Sequence, residues 1–184
     1  MSEQTLIMQA RAGDDSAWEG LVRAHQEPIF RLAYLLLGDA DEAADVAQET
    51  FIRAHRALAR FDAGRPLRPW LLRIAANQAR NHRRSLRRSL AALQRAFTLA
   101  PTVASLDESA GWERHTLWEA VRRLGQADQE VLYLRYFLDL GEADTARALG
   151  VPQGTVKSRT SRALARLRSV IDRDFPSLRA EREL

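Results

Sequence analysis

The chain has 184 residues, 46% of them hydrophobic, enough for one medium domain or two small ones with buried cores and too apolar for wholesale disorder. With no cysteine it has no disulfide, thiolate zinc site or thiol nucleophile, and its longest apolar run, Leu32 to Leu37, is too short to span a bilayer. The formal net charge is only +4, but acidic and basic residues fall in alternating blocks, and the distribution says more than the sum.

Residues 1–13 read as an N-terminal segment without a basic, apolar leader, which together with the missing cysteine fits the cytoplasm. Residues 14–37 read as two helices. Asp14 or Asp15 can cap the first, which shows Trp18, Leu21, Val22 and His25 on one side. Pro28 suits the first turn of the second, with Ile29, Phe30, Leu32, Ala33, Leu35 and Leu36, and Gly38 stops it. His25 reads as a packed histidine rather than a ligand. The four histidines have no metal-ligand spacing, so no metal or cofactor is expected.

A third helix runs from about Asp41 to Ala59. Residues 39–49 hold Asp39, Asp41, Glu42, Asp45 and Glu49 and no base, a favourable charge at a helix N-terminus. Val46, Thr50, Phe51, Ala54 and Leu58 share its inner arc. Asp41, Asp45, Gln48, Glu49, Ile52 and Arg56 share the outer one. Ile52 is an apolar side chain in a polar stripe: either a lone exposed isoleucine or the apolar centre of a docking site.

Phe61 to Pro69 contains Gly64, Pro66 and Pro69 and begins as a loop. The fourth helix follows, from about Leu67 to Arg88, and residues 65–88 hold eight arginines and no acid. Leu67, Leu71, Ile74, Ala75 and Gln78 point one way. Arg73, Asn77, Arg80, Arg84 and Arg87 point the other, with Trp70 on the seam. A seam tryptophan is a core residue or, beside a basic stripe, a platform for an unpaired base, where stacking supplies ~1–3 kcal/mol.

Residues 89–111 lose the pattern and read as a linker. Twenty-three residues can stretch to roughly 75–80 Å at ~3.3 Å each. That exceeds one and a half turns of duplex, about 50 Å at ~34–36 Å per turn. Two helices follow between Trp112 and Leu138. Trp118, Val121 and Leu124 face one way in the first. Asp128 is placed to cap the second, with Val131, Leu132, Leu134, Tyr136 and Phe137 as packing residues.

Glu142 to Arg168 reads as a helix-turn-helix. The first helix carries Ala143, Ala146 and Leu149, Gly150 ends it, and Val151-Pro152 turn the corner. In the second, Val156, Thr160, Ala163, Leu164 and Leu167 form the inner arc. Thr155, Ser158, Arg159, Arg162 and Arg166 form an outer stripe flanked by Lys157 and Ser161. Residues 151–168 hold five bases and no acid. An amphipathic helix with a solvated basic face would look similar, but the order short helix, glycine corner, basic helix favours DNA reading. The tail, 172–184, has no clear pattern.

Three segments resemble bacterial sigma factors of the extracytoplasmic-function group. Leu149-Gly-Val-Pro-Gln-Gly-Thr-Val-Lys-Ser-Arg, with Arg162 and Arg166 beyond it, resembles their −35-reading segment. This implies −35 contacts from Thr155, Lys157, Ser158, Arg159, Arg162 and Arg166. Asp39-Ala-Asp-Glu-Ala-Ala-Asp-Val-Ala-Gln-Glu-Thr-Phe-Ile-Arg-Ala is similar to the segment that docks on the β′ clamp helices of RNA polymerase. It implies a polymerase contact through Asp45, Gln48, Glu49 and Ile52. Arg65-Pro-Leu-Arg-Pro-Trp-Leu-Leu-Arg-Ile-Ala-Ala-Asn-Gln-Ala-Arg resembles the segment that opens and reads the −10 element, implying roles for Phe61, Arg65, Trp70, Arg73, Asn77, Arg80 and Arg84.

His55, Leu67 and Asn81 stand where the group usually has tryptophan, phenylalanine and aspartate. Glu142 and Thr145 stand where it has an aromatic and a branched apolar residue, which implies looser packing there. Leu124-Gly-Gln-Ala-Asp-Gln-Glu-Val-Leu-Tyr-Leu-Arg-Tyr also resembles the group's segment just ahead of the helix-turn-helix, which implies a β-flap contact there; the resemblance further implies an anti-sigma partner and no membrane insertion. The expected fold is all-α: a helical domain over 14–88, a linker over 89–111 and a helix-turn-helix domain over 112–171. The competing readings are a free-standing helix-turn-helix regulator that binds a palindrome as a dimer, and an enzyme acting on nucleic acid. The first leaves the acidic and Arg-rich helices unexplained. The second lacks any catalytic triad, metal cluster or phosphate-cradling glycine loop in the sequence.

Overall fold

A computed structural model describes residues 2–94 and 112–175, with side chains outside 86–94 and 112–114. Among these residues every regular element is helical, and the chain divides into two compact units, Met1–Val103 and Ala104–Leu184. From residue 95 onward the expected linker lies outside the described residues, as does the tail from residue 176.

In the first unit, α1 (Glu3–Arg11) is capped by Ser2, whose hydroxyl accepts from Thr5 N at 3.2 Å. The sequence sets residues 1–13 apart, yet this helix buries Ile7 and Ala10 within the unit. The next helix, α2 (Asp15–Leu37), is one element and not two, with Pro28 inside it. A proline removes one hydrogen bond and crowds the carbonyl four residues back, which usually breaks a helix. Here the buried face runs without interruption through Ala17, Leu21, His25, Ile29, Leu32 and Leu36, and that continuous burial offsets the local loss. Gly38, in the left-handed region at φ 80°, ends the helix with its N–H on Tyr34 O at 2.7 Å.

The third helix, α3 (Ala40–Ala57), starts at Asp39, whose carboxylate accepts from Glu42 N at 2.9 Å, and ends in a 3-10 turn, Leu58–Arg60. Its inner arc is as expected: Val46, Thr50, Ala54 and Leu58 are buried and Phe51 half-buried. The hydroxyl of Thr50 is satisfied by Val46 O at 2.7 Å. His55 packs edge-on against Trp18, ring centroids 4.9 Å apart, so the departure there still makes an aromatic contact. The long α4 spans Leu67–Gln94, six residues past the expected end at Arg88. The second helix packs on α1, α3 and α4, and α3 packs on α4.

In the second unit, α5 (Trp112–Arg122) and α6 (Gln126–Leu132) are followed by a π-helical turn, Tyr133–Phe137. Asp128 does not cap α6. Gly125 occupies that position, and Asp128 lies one turn in, buried. Gln129 serves the preceding helix instead, donating to Arg122 O and Leu124 O at 2.8 and 2.7 Å. Tyr136, expected to pack, is 56% exposed, because the wider π turn shifts the side-chain phase after Tyr133.

Then come α7 (Glu142–Leu149) and α8 (Gln153–Asp174), with α5, α6 and α7 all packed on α8. Thr145 is fully buried and its hydroxyl donates to Gly141 O at 2.9 Å, so the polar substitution inside α7 leaves no unpaired group. Ala143, expected on the inner face, is exposed. The ends of α5 and α8 are tied by Arg123 Nη1 to Asp174 Oδ2 at 2.9 Å. A hydrogen bond from Arg173 foremost, with that charge adding to it, holds the Asp174 carboxyl below the usual range.

Asp14 caps α2 by accepting from Ser16 Oγ (2.6 Å), Ser16 N (2.9 Å) and Ala17 N (3.1 Å). The bond from the Ser16 hydroxyl foremost holds this carboxyl below the usual aspartate range. The ionised form is therefore the one that stabilises the fold, fully above the ordinary aspartate value and progressively less as pH falls through the lowered one. In thermal melts at a series of pH values, Asp14→Ala should melt below the wild type at neutral pH. The gap should hold down to about pH 4, near the ordinary aspartate value, and close below it.

Candidate nucleic-acid interface

The outward face of α3 is acidic. Asp41, Asp45 and Gln48 are exposed, Glu49 half-buried, and Ile52 39% exposed among them. Glu49 is already engaged, with Arg53 Nε 2.5 Å away and the Gln78 amide of α4 beside both. The neighbouring α4 presents the opposite sign. Arg73, Asn77 and Arg84 are exposed and Arg80 half-buried, with Arg80 donating to Asn77 Oδ1. These four lie along the helix at positions one turn apart, as expected. The side chain of Arg87 lies outside those described.

The loop before α4 is more ordered than its composition implies. Asp62 accepts from Gly64 N at 3.0 Å and pairs with Arg65 Nε at 3.1 Å, while its own carbonyl accepts from Arg65 N. This aspartate turn escaped the sequence reading, although Asp-Ala-Gly is a recognisable signal for one. Phe61 is buried rather than displayed, its ring centroid 4.7 Å from that of half-buried Trp70. Of the residues expected to meet bases in this region, Trp70 is half-buried with Phe61 against it, and Arg65 is exposed.

The residue before α4 is Pro66, which has no side-chain acceptor, so no Ser, Thr, Asp or Asn caps Leu67 from the position directly before it. The cap comes from α1: Glu3 Oε2 accepts from Leu67 N at 3.2 Å. The other carboxylate oxygen of Glu3 lies 3.0 Å from Nε2 of buried His25. Sequence reasoning missed Glu3, and no local pattern could have found a partner 64 residues away.

The corner of the helix-turn-helix is built by hydrogen bonds. Gly150 sits in the left-handed region at φ 67° and its N–H bonds Arg147 O, while Val151 N bonds Ala146 O. That is the Schellman arrangement, which needs a residue without a Cβ penalty at that position. Along α8, Val156, Ala163, Leu167 and Val170 are buried, a seam spaced three and four apart. Leu164 falls outside that seam and is 40% exposed, contrary to the expected arc.

On the outer face, Lys157, Ser158, Ser161 and Arg162 are exposed, and Thr155 and Arg159 half-buried. Arg162 Nε rests on Ser158 O at 3.2 Å, and Ser158 Oγ on Thr155 O at 3.2 Å. Arg166 is different. It reaches across to Asp128 of α6 at 2.5 Å, and that carboxylate is only 8% exposed. The last residue of the expected DNA stripe is therefore committed to holding α8 against α6. Among the described residues no group of three or more His, Asp or Glu could hold a metal, and no helix is long and apolar enough to cross a membrane.

Comparison with known proteins follows this division. Residues 21–89 match the family model for Sigma-70 region 2, and residues 114–167 the model for Sigma-70, region 4. The chain is 31% identical to the ECF RNA polymerase sigma factor SigW of Bacillus subtilis, over 88% of itself and 92% of that protein. It is 34% identical to the ECF RNA polymerase sigma factor BldN of Streptomyces coelicolor over 88% of itself, but spans only 64% of that longer chain. Among solved structures it resembles CnrH in complex with the cytosolic domain of CnrY, at a TM-score of 0.70 and 27% identity, covering 94% of this chain and 98% of the other.

The geometry separates fold from contact within the basic stripe of α8. Arg166→Ala leaves a buried carboxylate unpaired, which typically costs ~1–3 kcal/mol. Arg159→Ala and Arg162→Ala remove side chains with no such partner and should stay within ~0.5 kcal/mol of the wild type. Chemical denaturation of the three variants measures the contrast.

Proposed function

This chain belongs to the sigma-70 family, in its extracytoplasmic-function group, and is a sigma factor that directs RNA polymerase in transcription initiation; on that premise we propose which surfaces perform the work. The outward arc of α3, with Asp45, Gln48, Glu49 and Ile52, docks on the clamp helices of the polymerase β′ subunit. Exposed Ile52 supplies the apolar centre and the carboxylates the charged rim. The stripe Arg73, Asn77, Arg80 and Arg84 follows the backbone of the melted −10 strand. Arg65, Trp70 and the loop from Phe61 meet its unpaired bases. In the second unit, Thr155, Lys157, Ser158, Arg159 and Arg162 read the −35 duplex, while Arg166 sets the helix in place through Asp128.

The observation that carries this division of labour is the pairing, within one small unit, of an outward acidic helix and an outward basic helix. A free-standing dimeric regulator is not favoured, because it has no use for either face and no account of the region 2 match. Sigma factors are not enzymes, and the named side chains bind and orient without making or breaking bonds. CnrH is solved with the cytosolic domain of CnrY on it, and we propose by analogy that this chain accepts a protein partner of the anti-sigma class. A contact between the α5–α6 region and the β flap belongs to the same proposal, as does action inside the cell alongside the polymerase.

Strand opening is costly because extruding a base takes a few kcal/mol, which must be returned by contacts formed only afterwards. Asn77 is exposed and Arg80 half-buried, and neither belongs to the apolar core, so both variants are compared in protein shown to be folded. Asn77→Ala and Arg80→Ala should lower run-off transcription from a duplex promoter several-fold. Both should come close to the wild type on a template already mismatched across the −10 region. Equal loss on both templates assigns them to assembly instead.

Docking is tested separately. Gln48→Ala with Glu49→Ala should weaken association of the full chain with core RNA polymerase by about tenfold or more, as for truncation of central interface residues. Affinity for a −35 duplex should be unchanged. If polymerase association is unchanged, the acidic face is a solvated surface and the docking assignment fails.

A further inference from the structure

The first helix holds the segment 58–67 at both of its ends. Before the loop, Arg11 Nε of α1 donates to Leu58 O at 2.9 Å, in the 3-10 turn that closes α3. After the loop, Glu3 Oε2 accepts from Leu67 N at 3.2 Å, the first residue of α4. Both are side chain to backbone bonds, and they span 47 and 64 positions of sequence. Position along α1 is itself fixed, because Ile7 is fully buried between the two anchors and Ala10 nearly so. The Glu3 carboxylate is also oriented from α2 by buried His25.

These contacts do more than add stability. A loop whose two ends are pinned to one rigid helix has a fixed end-to-end vector, which narrows the conformations open to the residues between. Those residues carry the Asp62 turn and buried Phe61, and Phe61 in turn backs Trp70. Pro66, directly before Leu67, has no side-chain acceptor to cap α4, and its first free N–H is met by Glu3. A carboxylate is also the wrong charge to touch a DNA strand, so Glu3 acts through Leu67 and not on the nucleic acid.

We propose that α1 is a brace for the loop that meets unpaired −10 bases, with Glu3 and Arg11 as positioning residues for base selection. This rests on the assignment of that loop and α4 to the melted strand. A merely structural role would lower stability and leave base preference alone. A positioning role changes preference while polymerase docking, on the other face of α3, stays intact.

The test uses holoenzyme reconstituted from core polymerase and the full chain as wild type, Glu3→Gln, Glu3→Ala or Arg11→Met. Each is offered single-stranded oligonucleotides randomised over six positions, and the retained strands are sequenced. Melting temperature and polymerase association are measured on the same preparations. Losing one hydrogen bond of this kind corresponds to about a five- to tenfold change. Glu3→Ala should flatten the base preference by about that factor. Glu3→Gln keeps an acceptor towards Leu67 and should stay within about twofold of the wild type. Arg11→Met should flatten preference in the same direction, and all variants should associate with the polymerase like the wild type.

Wild-type preference in folded Glu3→Ala overturns the brace. If that variant does not fold, wild-type preference in Arg11→Met overturns it equally. A wild-type holoenzyme that retains the pool without preference overturns the −10 assignment first, and the brace with it.

Discussion

Everything in the first unit depends on α3 and α4 lying against each other. Each buries a face of small or apolar residues, Ala43, Val46, Thr50 and Ala54 on one and Leu71, Leu72, Ala75 and Ala79 on the other. Packed helices lie roughly 8–10 Å apart. That is close to the Debye length of about 8 Å at physiological ionic strength, so fields of the two outward faces overlap. An acidic arc and a basic arc this close attract each other, and the seam between the helices is polar: His82 Nε2 lies 3.4 Å from Glu42 Oε2, and Gln78 lies beside Glu49 and Arg53. The packed cores keep the remaining charges apart, so that one small unit displays both signs instead of neutralising them internally. A surface of either sign alone would suit only one kind of partner.

The second unit is arranged around α8. Three helices lean on its buried seam, and the buried side chains of Thr145 and Gln129 are hydrogen-bonded within the unit. What α8 leaves uncovered is a row of hydroxyls and cations on rigid backbone. Side chains on a well-packed helix are held more accurately than on a loop, which suits reading a fixed pattern of base edges.

Most of this was legible in the sequence because the helices bury one side and expose the other. The period of apolar residues gave α3 and α8 within a few residues and the start of α4, and every described side chain of the outer arcs named from it is exposed or half-buried. The failures have physical reasons. Pro28 reads as a boundary because local chemistry says so, but burial along the whole of α2 overrides it. Asp128 reads as a cap, while a cation 38 positions away gives it a buried role. Tyr136 reads as core because a regular period was assumed and a π turn shifts the phase, while Leu164 lies at the edge of the arc centred on Val156, Ala163 and Leu167. Phe61 reads as available for a base, yet it is spent on supporting Trp70. Glu3 left no trace at all, since long-range side chain to backbone bonds have no sequence period.

The bond between Arg166 and Asp128 has a mechanical consequence. Successive residues of a helix point 100° apart, so rolling α8 about its axis by a few tens of degrees would change which side chains face outward. The apolar seam resists such a roll, because its side chains are close-packed against the neighbouring helices. A directional ion pair to a nearly buried carboxylate on α6 adds a second restraint. The bond thus reinforces the rotational phase of Thr155, Ser158, Arg159 and Arg162, as an index pin holds a dial, from a position on the helix that lies beyond all four.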